Sequence, residues 1–125
     1  MAKEIALEIF QGTDVTIEFT VLNDAETAAV DVSSWALSWM LKKSKSHLDA
    51  DAKITKTTVS GITVAGTFNS DPTINTQVVR VAILDTNTET LASGSYFHEL
   101  KRTNADNEAI LSYGAFTLTK AVHKA

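Results

Sequence analysis

Between Val15 and Val21 the chain alternates without a break, with Val15, Ile17, Phe19 and Val21 apolar and Asp14, Thr16, Glu18 and Thr20 polar around them. A period of two puts one set on each side of an extended backbone, so the stretch predicts a half-buried strand whose odd-numbered residues point inward. A strand with one apolar face must find others to pack against, and the sequence offers them. Ile5, Leu7 and Ile9 alternate with Glu4, Ala6 and Glu8, and Gln11-Gly12-Thr13-Asp14 forms the tip that follows. Strands are also predicted from Lys53 to Val59, from Ile62 to Val64 and from Val79 to Ile83, with breaks at Ser60-Gly61, Ala65-Gly66 and Asp85 to Thr90. Asn69-Ser70-Asp71-Pro72 reads as a loop, because Asn and Asp bond their own backbone and Pro72 lacks a donor.

Two segments need more argument. Trp35 and Trp39 would share a face in a helix or a strand, but Leu37 and Leu41 join them only at period two, with Ser34, Ala36 and Ser38 opposite. That favours a strand, ending in a lysine-rich hairpin tip at Lys42, Lys43 and Lys45. In Tyr96 to Leu100 both registers offer an aromatic, so either Tyr96, His98 and Leu100 or Phe97 and Glu99 face inward. The chain closes on Ile110 to Tyr113, Gly114, and Phe116 and Leu118 alternating with Thr117 and Thr119. No stretch has helical periodicity. The expected fold is an all-β, immunoglobulin-like antiparallel β-sandwich of eight or nine short strands. It forms one domain over 1–125, with 1–11 an N-terminal strand or arm and 121–125 a polar tail. Val15, Ile17, Phe19, Val21, Trp35, Leu37, Trp39, Val79, Val81, Ile83, Phe116 and Leu118 are its expected core.

Composition narrows the chemistry. Cysteine is absent, which removes disulfides, thiolate nucleophiles and cysteine-ligated metals. A formal charge of -4 without a concentrated basic face argues against nucleic acid. No apolar run approaches the roughly 20 residues of a bilayer span, and Glu4 and Glu8 interrupt any secretory h-region, so no membrane association is expected. The glycines stand singly, so no phosphate-cradling loop is written, and no cofactor is expected. His47, Asp49 and Asp51 are the nearest approach to a metal cluster, although a polar loop explains them as well. His98 could act as a general base or sit as a partly buried sheet histidine, and His123 lies in the tail. Trp35 and Trp39 are core residues or, less simply, exposed anchors. Nothing marks a nucleophile, and a non-enzyme is expected.

Several short segments resemble one family. Gly12-Thr13-Asp14 before Val15 to Val21 is similar to a turn and strand that open small β-sandwich proteins of tailed phages, with the turn order changed. Ala29 to Trp39 resembles that family's Val-Asp-Leu-Thr-Gly-Ala stretch and the strand after it, with Ser34 and Trp35 where Gly and Ala are commoner, and Gly61-Ile62-Thr63-Val64 resembles its Gly-Ile-Thr stretch. Ala92-Ser93-Gly94-Ser95-Tyr96 through Leu100 resembles its Ala-Gly-Thr-Tyr-x-x-x-Leu stretch, and Ile110 to Leu118 its closing Leu-x-x-Gly-x-Phe-x-Val strand. The similarity, which spans about 12–120, is to the N-terminal domain of phage upper baseplate proteins and to related head and tail decoration modules. It implies a virion structural protein, multicopy or homo-oligomeric, that binds neighbouring virion proteins, with no catalytic residues to carry over. Lys3, Glu4, Glu8, Lys42, Lys43 and Lys45 are the expected partner-binding residues, and the strand from Lys3 to Phe10 is expected to be open and dispensable for folding. Two alternatives from other classes are a carbohydrate-binding sandwich, which needs exposed aromatic platforms, and a small hydrolase or lyase, which needs His98 in a cleft beside a carboxylate.

Overall fold

The computed structural model describes residues 2–122, so His123 and most of the expected tail lie outside the described residues. It has nine strands: β1 (Lys3–Glu4), β2 (Leu7–Phe10), β3 (Val15–Phe19), β4 (Leu37–Lys42), β5 (Ile54–Thr57), β6 (Ile62–Ala65), β7 (Val78–Ile83), β8 (Gly94–Arg102) and β9 (Ala109–Thr119). Besides these there is a single helical turn, α1 (Asp85–Thr88), and a 3-10 turn at Asp49–Asp51. The strands form two sheets packed as a sandwich. The larger runs β1-β9-β8-β4-β5, with β2 also on β9, and the smaller runs β3-β7-β6.

This strand order is that of an immunoglobulin-like domain, with β9-β8-β4-β5 in the places of strands G, F, C and C′ and β3-β7-β6 in those of B, E and D. Two further marks of that fold are present. Tyr96 lies near the start of β8 and its hydroxyl donates to the Ala92 carbonyl at 2.6 Å, which closes the corner leading into the strand. Trp39 on β4 is fully buried and packs at the centre of the sandwich. Where an antibody domain would bridge its sheets with a disulfide, Phe19 of β3 and His98 of β8 meet instead, with ring centroids 6.2 Å apart. Trp39 stacks on the same imidazole at 6.1 Å. A cysteine-free chain thus spans its sheets with three packed rings.

The pairing is not antiparallel throughout, as the alternation alone had implied. β1 and β2 run parallel to β9, with Leu7 beside Phe116 and Ile9 beside Leu118. Antiparallel neighbours are favoured where a hairpin joins them, but these strands come from opposite ends of the chain and no hairpin fixes their direction. After β2 the chain crosses to the other sheet, and the Gly12-Thr13-Asp14 tip secures the crossing. Gln11 Nε2 donates to the Leu91 carbonyl at 2.6 Å, the Gly12 amide to Thr88 Oγ1 at 2.9 Å, and the Asp85 amide to Asp14 Oδ1 at 2.7 Å. Between β1 and β2 the backbone at Ile5 lies directly against Gly114, where a Cβ would run into the Ile5 carbonyl. Only glycine fits there.

Of the expected core, Ile17, Phe19, Leu37, Trp39, Val79, Val81, Ile83, Phe116 and Leu118 are buried, joined by Leu41, Leu100, Tyr96, Ile54 and Ile9 among others. Val15, Val21 and Trp35 are only partly buried against it. Trp35 has the right parity but precedes the first residue of β4, so it lies at the rim, where the Arg102 guanidinium covers its ring at 4.0 Å. In β8 the inward residues are Tyr96, His98 and Leu100, which leaves Phe97 and Glu99 on the outer face.

Candidate functional site: the outer face of the larger sheet

The side chains that the core does not use collect on the outer face of the larger sheet. In β4, Ser38, Met40 and Lys42 alternate with the buried Leu37, Trp39 and Leu41. In β8 the outward set is Phe97, Glu99 and Lys101, and from β9 comes Tyr113, paired with Glu99. These residues line a cleft of about 290 Å³ whose rim adds Lys45 and Asp49.

The β4–β5 connection folds over this face because Lys42 reaches it. Its Nζ donates to Asp49 Oδ1 at 2.6 Å and to the His47 carbonyl at 3.1 Å. The lysine ammonium holds the Asp49 carboxyl below its ordinary range. Lys45 Nζ stands 5.1 Å over the Phe97 ring, and Lys43 Nζ 4.4 Å over Tyr96 while donating to the Ser95 carbonyl. Lys101 pairs with Glu108 at 3.6 Å.

The six expected partner-binding residues therefore divide. Lys42 and Lys45 reach the cleft, and Lys43 lies just beyond its end. Glu4 and Glu8 lie at the opposite margin of the same face, in register with Tyr113 and Thr117. Lys3 is in register with the buried Ser112, whose hydroxyl donates to the Lys3 carbonyl, so it stands off this face. Met40, Phe97, Glu99, Lys101 and Tyr113 were not singled out by sequence. Phe97 and Glu99 belong to the unassigned register, and a register shift between Leu100 and Lys101, which leaves Leu111 without a partner, breaks the alternation of β9 just before Tyr113.

His98 does not serve as an exposed base. Its side chain is 2% exposed, and its Nε2 lies 2.7 Å from the Ile5 carbonyl. A carbonyl can only accept, so Nε2 carries the proton, and Nδ1 faces the core without a partner, as does Trp39 Nε1. Among the described residues no carboxylate bonds to the ring. Burial lowers the pKa of His98 below its ordinary 6.5, partly opposed by the Ile5 carbonyl. His47, Asp49 and Asp51 form no metal centre, since Asp49 is committed to Lys42, and among the described residues no group of three or more acids and histidines could hold an ion.

Other residues of the quoted segments also have structural work. Asp31 Oδ1 accepts from the Ser33 amide at 3.0 Å and from Gln77 Nε2 at 2.9 Å, and these bonds hold its carboxyl below the ordinary range. Gln77 in turn accepts from the Val32 amide at 3.1 Å, which fastens the 30–36 connection to the start of β7.

No protein-family model matches the chain, and no curated protein does. Among solved structures, a similar chain is the inferred receptor binding domain of the human endogenous retrovirus envelope EnvP(b)1. It is 12% identical, and the match covers 97% of this chain and 92% of that one with a TM-score of 0.40. A likeness that low carries no functional argument.

Proposed function

We propose that this chain is a non-enzymatic structural module of a tailed-phage virion that binds neighbouring virion proteins. The observation that carries the binding reading is the outer face of the larger sheet, where Met40, Phe97 and Tyr113 lie between charged margins. Methionine and aromatic side chains are enriched in protein-binding patches, and here they stand around Glu99 and Lys101. The virion setting draws support from the resemblance of the segments between 12 and 120, and from an immunoglobulin-like fold compatible with it. The enzyme alternative is weakened, because His98 is buried and bonded to the Ile5 carbonyl. The carbohydrate alternative is weakened, since Trp39 is buried and Trp35 is covered by Arg102.

The test is quantitative mass spectrometry of density-gradient-purified particles from the source culture. A fixed ratio to the major capsid or tail protein is expected. Absence from particles that retain infectivity would overturn the virion reading.

A further inference from the structure

We infer that the partner docks on this outer face through an arginine, whose guanidinium stacks on the Tyr113 ring between the carboxylates of Glu4 and Glu99. The inference rests on the reading that this face binds a neighbouring protein, and it names the side chain that the neighbour brings.

The strand register builds the seat. Thr55 of β5 is paired with Met40 of β4, Met40 with Glu99 of β8, Glu99 with Tyr113 of β9, and Tyr113 with Glu4 of β1. Paired residues point to the same face with their Cβ atoms about 5 Å apart, so one row crosses the sheet and in it the tyrosine stands between two acids. Glu4 and Glu99 are exposed, and Tyr113 is half-buried. The charges around this row are unevenly satisfied. Lys42 is paired with Asp49, Lys101 with Glu108, and Lys45 lies over the Phe97 ring. Among the described residues the carboxylates of Glu4 and Glu99 have no ion-pair or hydrogen-bond partner. The cations of the cleft are thus engaged within the chain, while the acids beside Tyr113 are left for a cation from outside. Of the two permanently cationic side chains, arginine suits the arrangement. Its guanidinium is planar, stacks on an aromatic face and carries five N–H donors at its edge, enough for a carboxylate on each side, whereas an ammonium is a compact point charge. A second copy of this chain would supply the group only by breaking contacts it already makes. Its arginines are Arg80, which donates to Glu18 at 2.7 Å, and Arg102, which covers Trp35 at 4.0 Å and donates to Asn104. The occupant is therefore a different protein.

Nuclear magnetic resonance on the intact, isotope-labelled chain at low salt tests this with N-acetyl-arginine amide as the probe, beside its lysine and citrulline analogues. The arginine amide is expected to shift the signals of Glu4, Glu99 and Tyr113 and to saturate them with a Kd of about 1–10 mM. The lysine analogue should bind about threefold or more weaker, and citrulline, which keeps the shape without the charge, should not bind. Glu4→Gln with Glu99→Gln should weaken arginine binding about tenfold, and Tyr113→Leu about threefold or more. Glu89→Gln, at the end of α1, should leave it unchanged. The same spectra report whether each variant is folded. The inference is overturned if either analogue binds as well as the arginine amide, if the glutamine pair binds it unchanged, or if no signal on this face moves by about 50 mM. Self-association of the free chain that the glutamine pair abolishes would make a second copy the occupant and overturn it as well. Loss of folded Tyr113→Lys from purified particles without arginine binding would sink this inference and spare the binding face. Arginine binding by a chain whose Tyr113→Lys variant stays in particles would do the reverse.

Discussion

At the scale of single residues, three rings and a hydroxyl take the place of a disulfide. Phe19 is 3% exposed and touches His98, so Phe19→Ala should cost about 3–5 kcal/mol in urea unfolding, as deletion of a core aromatic does. Tyr96→Phe removes one hydrogen bond to Ala92 and should cost about 0.5–1.5 kcal/mol with no change in fold. His98 makes stability depend on pH in a defined direction. Its folded pKa lies below the ordinary 6.5, so the unfolded chain binds the extra proton first as the pH falls. The contribution is complete above about pH 6.5 and is lost progressively below it, with a slope of at most about 1.4 kcal/mol per pH unit. His98→Leu should lack this slope between pH 7 and 5, and parallel wild-type and variant curves would show that the ring does not titrate there. The sequence offered His98 either as a base or as a sheet residue, and what settled it is its distance to Ile5, a contact across 93 positions that no local pattern encodes.

At the scale of elements, alternation located most strands because a half-buried strand writes its period into the chain. It located β3 and β7 with their buried Ile17, Phe19, Val79, Val81 and Ile83, although β3 ends at Phe19 rather than at Val21. It left β8 undecided, since both of its faces carry an aromatic and the sheet's outer face is itself partly apolar. It also treated the first strand as removable. In the structure β2 buries Ile9, β1 and β2 cover the edge of β9, and the Ile5 carbonyl accepts from His98 Nε2. Deleting residues 1–10 should therefore destabilise the domain by more than the roughly 1.5–3 kcal/mol of a single buried aliphatic side chain. A truncated protein that unfolds at the wild-type urea midpoint would restore the view of a detachable arm.

At the scale of the whole molecule, fold and binding face differ in how they are written. The sandwich follows from the inward residues, which obey one rule everywhere. The face is assembled from outward residues of β2, β4, β8 and β9, far apart in sequence and close only because the topology orders those strands side by side. The lysines at 42 and 45 were visible as a cluster and the glutamates at 4 and 8 as a stripe, yet their position on one surface required the sheet order.

The claim that this surface attaches the module is tested most directly by particle occupancy of two lysine variants, one on each outer face. Thr63 is exposed on β6 of the smaller sheet, and Tyr113 lies at the centre of the larger one. With both variants folded, Thr63→Lys should be found in purified particles at the wild-type ratio and Tyr113→Lys should be lost from them. Tyr113→Lys present at wild-type occupancy would contradict the account.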